Sequence, residues 1–139
     1  MLLALAGCGD KDFKNQPRPP VAVQLTGVIT KSKVVVSPNR LGGGPIVLTV
    51  SNQTPDSHKV QLVGNATGGN QSTKVQQVKE TVGPVNPMDT ATIQQTLPEG
   101  QYEVRALFEK AIPESKRVEP ATLIIGRSRP SGSNKLLLP

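Results

Sequence analysis

Apolar and polar residues alternate one by one along several short stretches of this chain, and this period of two constrains its fold more than any other feature. Tyr102, Val104 and Ala106, for example, alternate with Glu103 and Arg105. Successive side chains of a β-strand point to opposite faces of a sheet, so the pattern indicates strands with one buried face. No stretch shows the spacing of a long amphipathic helix.

Seven such stretches follow one another, separated by turn residues such as Gly, Pro and Asn. Many short strands with regular turn signals are typical of a sandwich or a barrel. The sequence therefore predicts an all-β, Greek-key β-sandwich of about seven to eight strands. The seven predicted strands cover residues 21–26, 33–37, 46–52, 58–63, 90–97, 101–107 and 121–126.

Three further stretches are predicted to lie outside strands. Residues 64–77 are polar and rich in glycine, with one short helical turn expected over 75–82. The run Gly42-Gly43-Gly44 is predicted to be a flexible turn, because a phosphate loop would need a following helix and a Lys-Ser/Thr pair. Residues 108–120 form a long charged loop, and long loops in compact domains are usually functional or mobile.

The chain of 139 residues suits one folded domain. Residues 1–8 are expected to be a lipoprotein signal, and the polar, proline-rich residues 9–20 a flexible tether. The β-sandwich is predicted over 21–126. Residues 127–139, which carry half of the net charge of +6 and no acid, are predicted to be a disordered tail.

The lone cysteine ends the only apolar leader. Leu5-Ala6-Gly7-Cys8 matches the lipobox at which bacterial lipoproteins are cleaved and then lipidated on the cysteine thiol. The alternative is an incidental cysteine in an apolar start. Lipidation at Cys8 implies an outward-facing location on a bacterial cell membrane. In that setting the sequon Asn52-Gln53-Thr54 is a chance match to a glycosylation site.

Composition argues against nucleic acid as a partner. Phe13, Tyr102 and Phe108 are the only aromatic residues, and single-stranded nucleic acids are usually held by stacking on several aromatic rings. A large share of the basic residues lies in the tail, whereas a nucleic-acid-binding domain concentrates them on a folded face. The tail is expected to be solvated or to contact an anionic membrane.

Two stretches resemble the cupredoxin family. Residues 45–62, PIVLTVSNQTPDSHKVQL, resemble the segment in which a strand ends in an Asn-rich turn before a histidine. Residues 86–104, NPMDTATIQQTLPEGQYEV, resemble the later hairpin that leads into a tyrosine-bearing strand. The resemblance covers about three quarters of the chain and implies a cupredoxin-like sandwich, with His58 meeting the start of the 108–120 loop at one end.

The same resemblance implies that the blue-copper site is missing. Such a site needs two imidazoles and a thiolate, usually with an axial thioether. His58 falls on the first histidine position, but Ala106 falls near the cysteine position and the 108–120 loop contains no His, Cys or Met. We expect no cofactor, with His58 and Met88 as weak metal candidates only.

The remaining candidate residues are expected to be structural or to bind a partner. His58 is predicted to be a strand-edge histidine with one backbone hydrogen bond, because the adjacent Ser57 would face the opposite side. Tyr102 follows a Pro-Glu-Gly turn, which resembles the tyrosine corner of Greek-key sandwiches. Glu109, Lys110 and Arg117 are predicted to form a binding loop.

The first functional hypothesis is therefore a non-catalytic cell-envelope lipoprotein with a binding or structural domain and an envelope protein as its partner. The alternative is an extracytoplasmic copper-handling accessory protein that binds metal weakly. A third hypothesis is a subunit of an enzyme whose active site lies on another chain.

Overall fold

The computed structural model describes residues 20–67, 77–110, 112 and 116–130. Cys8 and the predicted tether up to residue 19 lie outside this part of the chain. No helix among the described residues is long and apolar enough to cross a membrane. The described residues form eight strands: β1 (Val23–Ile29), β2 (Val34–Ser37), β3 (Arg40–Asn52), β4 (His58–Ala66), β5 (Gln77–Val85), β6 (Thr90–Leu97), β7 (Gly100–Phe108) and β8 (Ala121–Ser128).

The long strand β3 joins two sheets. Its residues 44–52 pair with β6 and, in parallel, with β1, which also pairs with β2. Its residues 40–43 pair in parallel with β8, and the second sheet continues from β8 through β7 and β4 to β5. A register shift between Gly42 and Gly43 marks the point at which β3 passes from one sheet to the other.

One hydrophobic core lies between the two sheets, and the alternation in the sequence explains it. Along β7 the side chains of Tyr102, Val104 and Ala106 are buried, whereas that of Arg105 is exposed. Branched aliphatic residues of the other strands fill the rest of the core, among them Leu48 and Ile93. The all-β prediction of seven to eight strands is confirmed.

Two predictions about irregular stretches are wrong. The glycine run 42–44 lies inside β3, because pairing with β8 and β6 continues the strand on both sides of the register shift. Residues 77–85 form β5 instead of a helical turn: this segment pairs with β4 and buries Val78 and Val85 in the core. Partner strands therefore override a weak local pattern in both cases.

The predicted start of the tail at residue 127 is also wrong. Strand β8 continues to Ser128, and the Arg129 guanidinium binds the domain. Its Nε donates to the carbonyls of Gly42 and Gly43, and its Nη1 donates to Val21 O at 2.7 Å. Its Nη2 donates to Pro45 O. One arginine thus holds the beginning of the described chain, the glycine run and the end of β8 together.

Candidate functional site

The single histidine lies in a closed hydrogen-bonded cluster where β3 ends and β4 begins. We call Asn52, Thr54, His58 and Phe108 the His58 cluster. The Asn52 side chain donates to the carbonyls of Asp56 (2.7 Å) and Val85 (2.9 Å), and its Oδ1 accepts from the Thr54 amide at 3.0 Å. These bonds fold the turn over the start of β4, and they leave the His58 side chain only 1% exposed.

The hydrogen bonds of this cluster identify the form of the imidazole. His58 Nε2 lies 2.9 Å from Thr54 Oγ1, which is also 2.8 Å from Asn52 Oδ1. His58 Nδ1 is buried without a hydrogen-bond partner among the described residues. A proton on Nδ1 would leave a buried N–H donor unsatisfied, whereas a proton on Nε2 is donated to Thr54. We therefore infer the neutral tautomer protonated at Nε2.

Burial favours this neutral form. Loss of solvent lowers the pKa of His58 below its ordinary value of 6.5, and the negative charge of Asp56 offsets part of that effect. The Phe108 ring packs edge-on against the imidazole, with ring centroids 4.4 Å apart. The prediction that His58 meets the start of the 108–120 loop is confirmed.

The prediction of a strand-edge histidine with a backbone hydrogen bond is wrong. The partner is a threonine hydroxyl, because the turn bends back and places Thr54 over the ring. Ser57 Oγ donates instead to Asn86 Oδ1 at 3.1 Å, on the neighbouring turn. Asp56, Ser57 and His58 therefore do not form a hydrogen-bonded catalytic triad.

The residues at this end do not fit a blue-copper centre. Ala106 and Phe108 occupy the end of β7, next to His58, where a thiolate would be required. The Met88 side chain is 82% exposed, whereas the imidazole is buried, so the two weak metal candidates do not share one enclosed site. Within the described ranges no group of three or more His, Cys, Asp or Glu could hold a metal ion.

Tyr102 closes the turn between β6 and β7. Its side chain is fully buried, and its hydroxyl donates to Pro98 O at 2.7 Å, four residues upstream. This is the backbone hydrogen bond that the Pro-Glu-Gly-x-Tyr pattern predicts. Burial raises the pKa of the phenol above its ordinary value of 10.0, so the group stays protonated and donates.

A groove of about 500 Å³ lies along β7, between that strand and the segment that leads into β8. We call it the β7 groove. Its walls combine outward-facing side chains of β7 with apolar and cationic residues of the following loop. Of the predicted binding loop, Lys110 and Arg117 line the groove, whereas Glu109 is exposed beside it. The described lining residues are Glu103, Arg105, Ala106, Leu107, Phe108, Lys110, Ile112, Arg117, Val118 and Pro120.

The sequence analysis places Asn52 and Thr54 in a turn but does not predict their side-chain hydrogen bonds, and it does not predict the role of Arg129. Asn-x-Thr at the end of a buried strand is a chance match to a sequon and also the pattern of an Asx-type turn, in which an asparagine side chain accepts a backbone N–H two residues later. The sequence predicts Arg129 as part of the tail. No local signal distinguishes an arginine that binds carbonyls more than 80 residues away in the sequence from a solvated one.

No protein-family model matches the chain, and no curated protein matches it in sequence. Solved structures that resemble it include a multicopper oxidase called mgLAC, at 13% identity and a TM-score of 0.46, over 78% of this chain and 39% of that one. Another multicopper oxidase matches at 11% identity and a TM-score of 0.47, over 81% of this chain and 45% of that one.

A Cu-containing nitrite reductase from Thermus scotoductus matches at 14% identity and a TM-score of 0.43, over 81% of this chain and 32% of that one. The chain therefore spans less than half the length of each of these three proteins. The likeness is distant, and the function of this chain has to be inferred from its own residues.

Proposed function

We propose that this chain is a non-catalytic binding domain, held on the outer side of a bacterial cell membrane by a lipid on Cys8, and that its β7 groove binds a partner protein of the cell envelope. The groove is the observation that carries this proposal. Its volume of about 500 Å³ falls within the range of ligand-binding clefts, and cationic Lys110 and Arg117 border an apolar floor.

The position of the chain ends is compatible with a lipid anchor and an accessible groove on the same domain. Arg129 binds Val21 O, so both ends of the described chain meet at one end of the sandwich. The groove extends to Phe108, which pairs with His58 at the other end, about 20 Å away along a seven-residue strand such as β1. A tether from Pro20 to a lipid on Cys8 would therefore attach to the domain at the end opposite Phe108 and would leave the groove accessible.

The closed His58 cluster supports a non-catalytic role. A general base must come within hydrogen-bond distance of the proton that it removes. His58 is the only histidine of the chain, and its side chain is buried with Nε2 hydrogen-bonded to Thr54. The residue best suited to proton transfer at neutral pH is thus inaccessible to a substrate.

Photocrosslinking in living cells tests the proposed function. A photoreactive amino acid at Leu107, in the groove, should give one discrete crosslinked species in the membrane fraction. The same amino acid at Thr92, an exposed position on β6 in the other sheet, serves as the control and should give none. Lys110→Glu should reduce the Leu107 crosslink several-fold. Equal crosslinking from both positions, or insensitivity to Lys110→Glu, would contradict a binding role for the groove.

One observation favours copper handling as a second candidate function. His58 Nδ1 keeps an unpaired lone pair in the neutral tautomer, and a lone pair of that kind can bind a soft metal ion. This atom is buried and the Phe108 ring packs against the imidazole, so a metal ion could reach it only after a local rearrangement. Copper titration therefore separates the two candidates.

A further inference from the structure

The backbone of β7 has two sides that bond to different neighbours. The Thr67 amide donates to Glu99 O at 2.8 Å, in the same register that pairs β4 with β7. Hydrogen-bonded pairs alternate along an antiparallel ladder, so the odd-numbered residues of β7 bond to β4. The N–H and C=O groups of the even-numbered residues therefore point to the other side, toward β8.

Pairing on that other side stops halfway along β7. Strand β8 pairs with residues 100–104 of β7, ending at the pair Val104 and Ala121. If this register continued, Glu119 would pair with Ala106. The Glu119 amide instead donates to Ser32 O at 2.9 Å, and its carbonyl accepts from the Val34 amide at 2.8 Å. Glu119 thus bonds to residues at the start of β2. The backbone groups of Ala106 and Phe108 that point toward the β8 side therefore have no hydrogen-bond partner among the described residues.

This open segment resembles the edge strand β6, which pairs only with β3 and has no proline, and it differs from the strands at the two ends of the sheet order. Strand β2 has only four residues and is followed by Pro38, and β5 contains Pro84. Short length and proline are common means of preventing the addition of a further strand. Residues 106–108 of β7 contain no proline and no charge, and they border the β7 groove.

The side chains around the open segment define what would fit there. Leu107 and Ile112 provide apolar surface on the groove. Arg105 is paired with Glu103 at 2.7 Å, whereas exposed Lys110 has no ion-pair partner among the described residues. The groove therefore favours a segment that combines apolar side chains with carboxylates.

We propose that the β7 groove binds an extended segment of a partner protein, carrying alternating apolar and acidic residues, as an additional β-strand against Ala106 and Phe108. This inference rests on the proposed binding function and specifies its partner. Main-chain hydrogen bonds to the open segment provide affinity, as in other cases of strand addition, and the alternate side chains provide selectivity.

A synthetic peptide with the sequence Val-Glu-Val-Glu-Val-Glu, blocked at both ends, tests the inference on the full chain by amide hydrogen exchange and nuclear magnetic resonance. In the free protein the Ala106 and Phe108 amides should exchange faster than the Val104 amide. The peptide should protect both amides. A peptide N-methylated at alternate residues should not bind, and a Val-Lys peptide should bind at least about tenfold more weakly.

Two variants provide matched controls. Lys110→Glu should weaken binding of the Val-Glu peptide by about tenfold, whereas Lys79→Glu on β5 should leave it unchanged. Slow exchange of Ala106 and Phe108 in the free protein, or no binding of the Val-Glu peptide, would overturn strand addition. Equal binding of the N-methylated peptide would overturn it as well. A groove-specific crosslink at Leu107 in cells would still support the proposed function in each of these cases.

Discussion

At the scale of single residues, Tyr102 provides the simplest test of how the fold is held together. Tyr102→Phe removes the hydroxyl that donates to Pro98 O and leaves the apolar packing of the ring in place. We expect a loss of about 1 kcal/mol in the free energy of unfolding, because one hydrogen bond to a partly buried acceptor is removed. Urea denaturation measures it, with Ser57→Ala, which removes an exposed hydrogen bond, as the control. Equal midpoints for Tyr102→Phe and the parent chain would contradict this role.

His58 gives a prediction about pH. Burial lowers the pKa of the folded-state imidazole below the unfolded value near 6.5. Between these two values the unfolded chain binds a proton that the folded chain does not bind, so the free energy of unfolding falls as the pH falls. The limiting slope is about 1.4 kcal/mol per pH unit. The stabilising contribution is therefore complete above pH 6.5 and decreases below it.

Urea denaturation at several pH values between 7.5 and 5 measures this slope. His58→Gln removes the titrating group, so its unfolding free energy should depend less on pH across this interval than that of the parent chain. The carboxylates contribute equally to both proteins. Parallel pH profiles would show that His58 is protonated as easily in the folded chain as in the unfolded one.

Residue-scale prediction from sequence succeeded for the hydrogen bond of Tyr102 and failed for the burial of His58. The tyrosine hydrogen bond spans four residues, so a local pattern specifies it. The setting of His58 depends on Phe108 and Val85, which reach it only through the pairing of β4 with β7 and β5. The sequence around His58 contains no local pattern that predicts such long-range contacts.

At the scale of elements, the glycine run in β3 has a packing role that its sequence conceals. Gly44 has a positive φ of 142°, and a Cβ added there would lie 2.8 Å from Arg129 Nη2. Larger residues at Gly42 or Gly44 would thus displace the arginine that ties Val21 and β8 to β3. The glycine run, predicted to be a flexible turn, instead accepts hydrogen bonds from the Arg129 side chain.

Gly44→Ala and Gly126→Ala form a matched pair of variants for this role. A Cβ at Gly126 would meet only Leu41 O, at 3.9 Å, so we expect that change to alter the unfolding free energy by less than about 0.5 kcal/mol. Gly44→Ala combines an unfavourable φ with the displacement of Arg129 and should cost more than about 1 kcal/mol. Similar urea midpoints for the two variants would contradict the role of Arg129.

Strand prediction succeeded where burial alternates cleanly and failed where pairing alone maintains the strand. Strand β6 has the predicted bounds, and β4 begins as predicted at His58. Strand β5 buries only Val78 and Val85 fully, so its sequence lacks the alternating signal. Its extended form follows from hydrogen bonds to β4, which the local sequence does not specify.

At the scale of the whole molecule, the proposed anchor gives a direct prediction. Cys8→Ser removes the thiol that would receive the lipid. A full-length gene with its native start should yield a protein that takes up labelled fatty acid and partitions into the detergent phase, and the variant should lose both properties. A Cys8→Ser protein that still fractionates with membranes would contradict lipid anchoring.

The central claim is that the His58 end of the sandwich is closed by hydrogen bonds and packing instead of by a metal ion. Titration with Cu(II) and Cu(I), followed by visible absorbance and thermal denaturation, tests it most directly, with His58→Gln as the control. We predict no intense charge-transfer band and no rise in Tm that depends on His58, because a tightly bound ligand stabilises a fold by mass action. An intense band, or a copper-dependent rise in Tm that His58→Gln abolishes, would contradict the claim and favour copper handling.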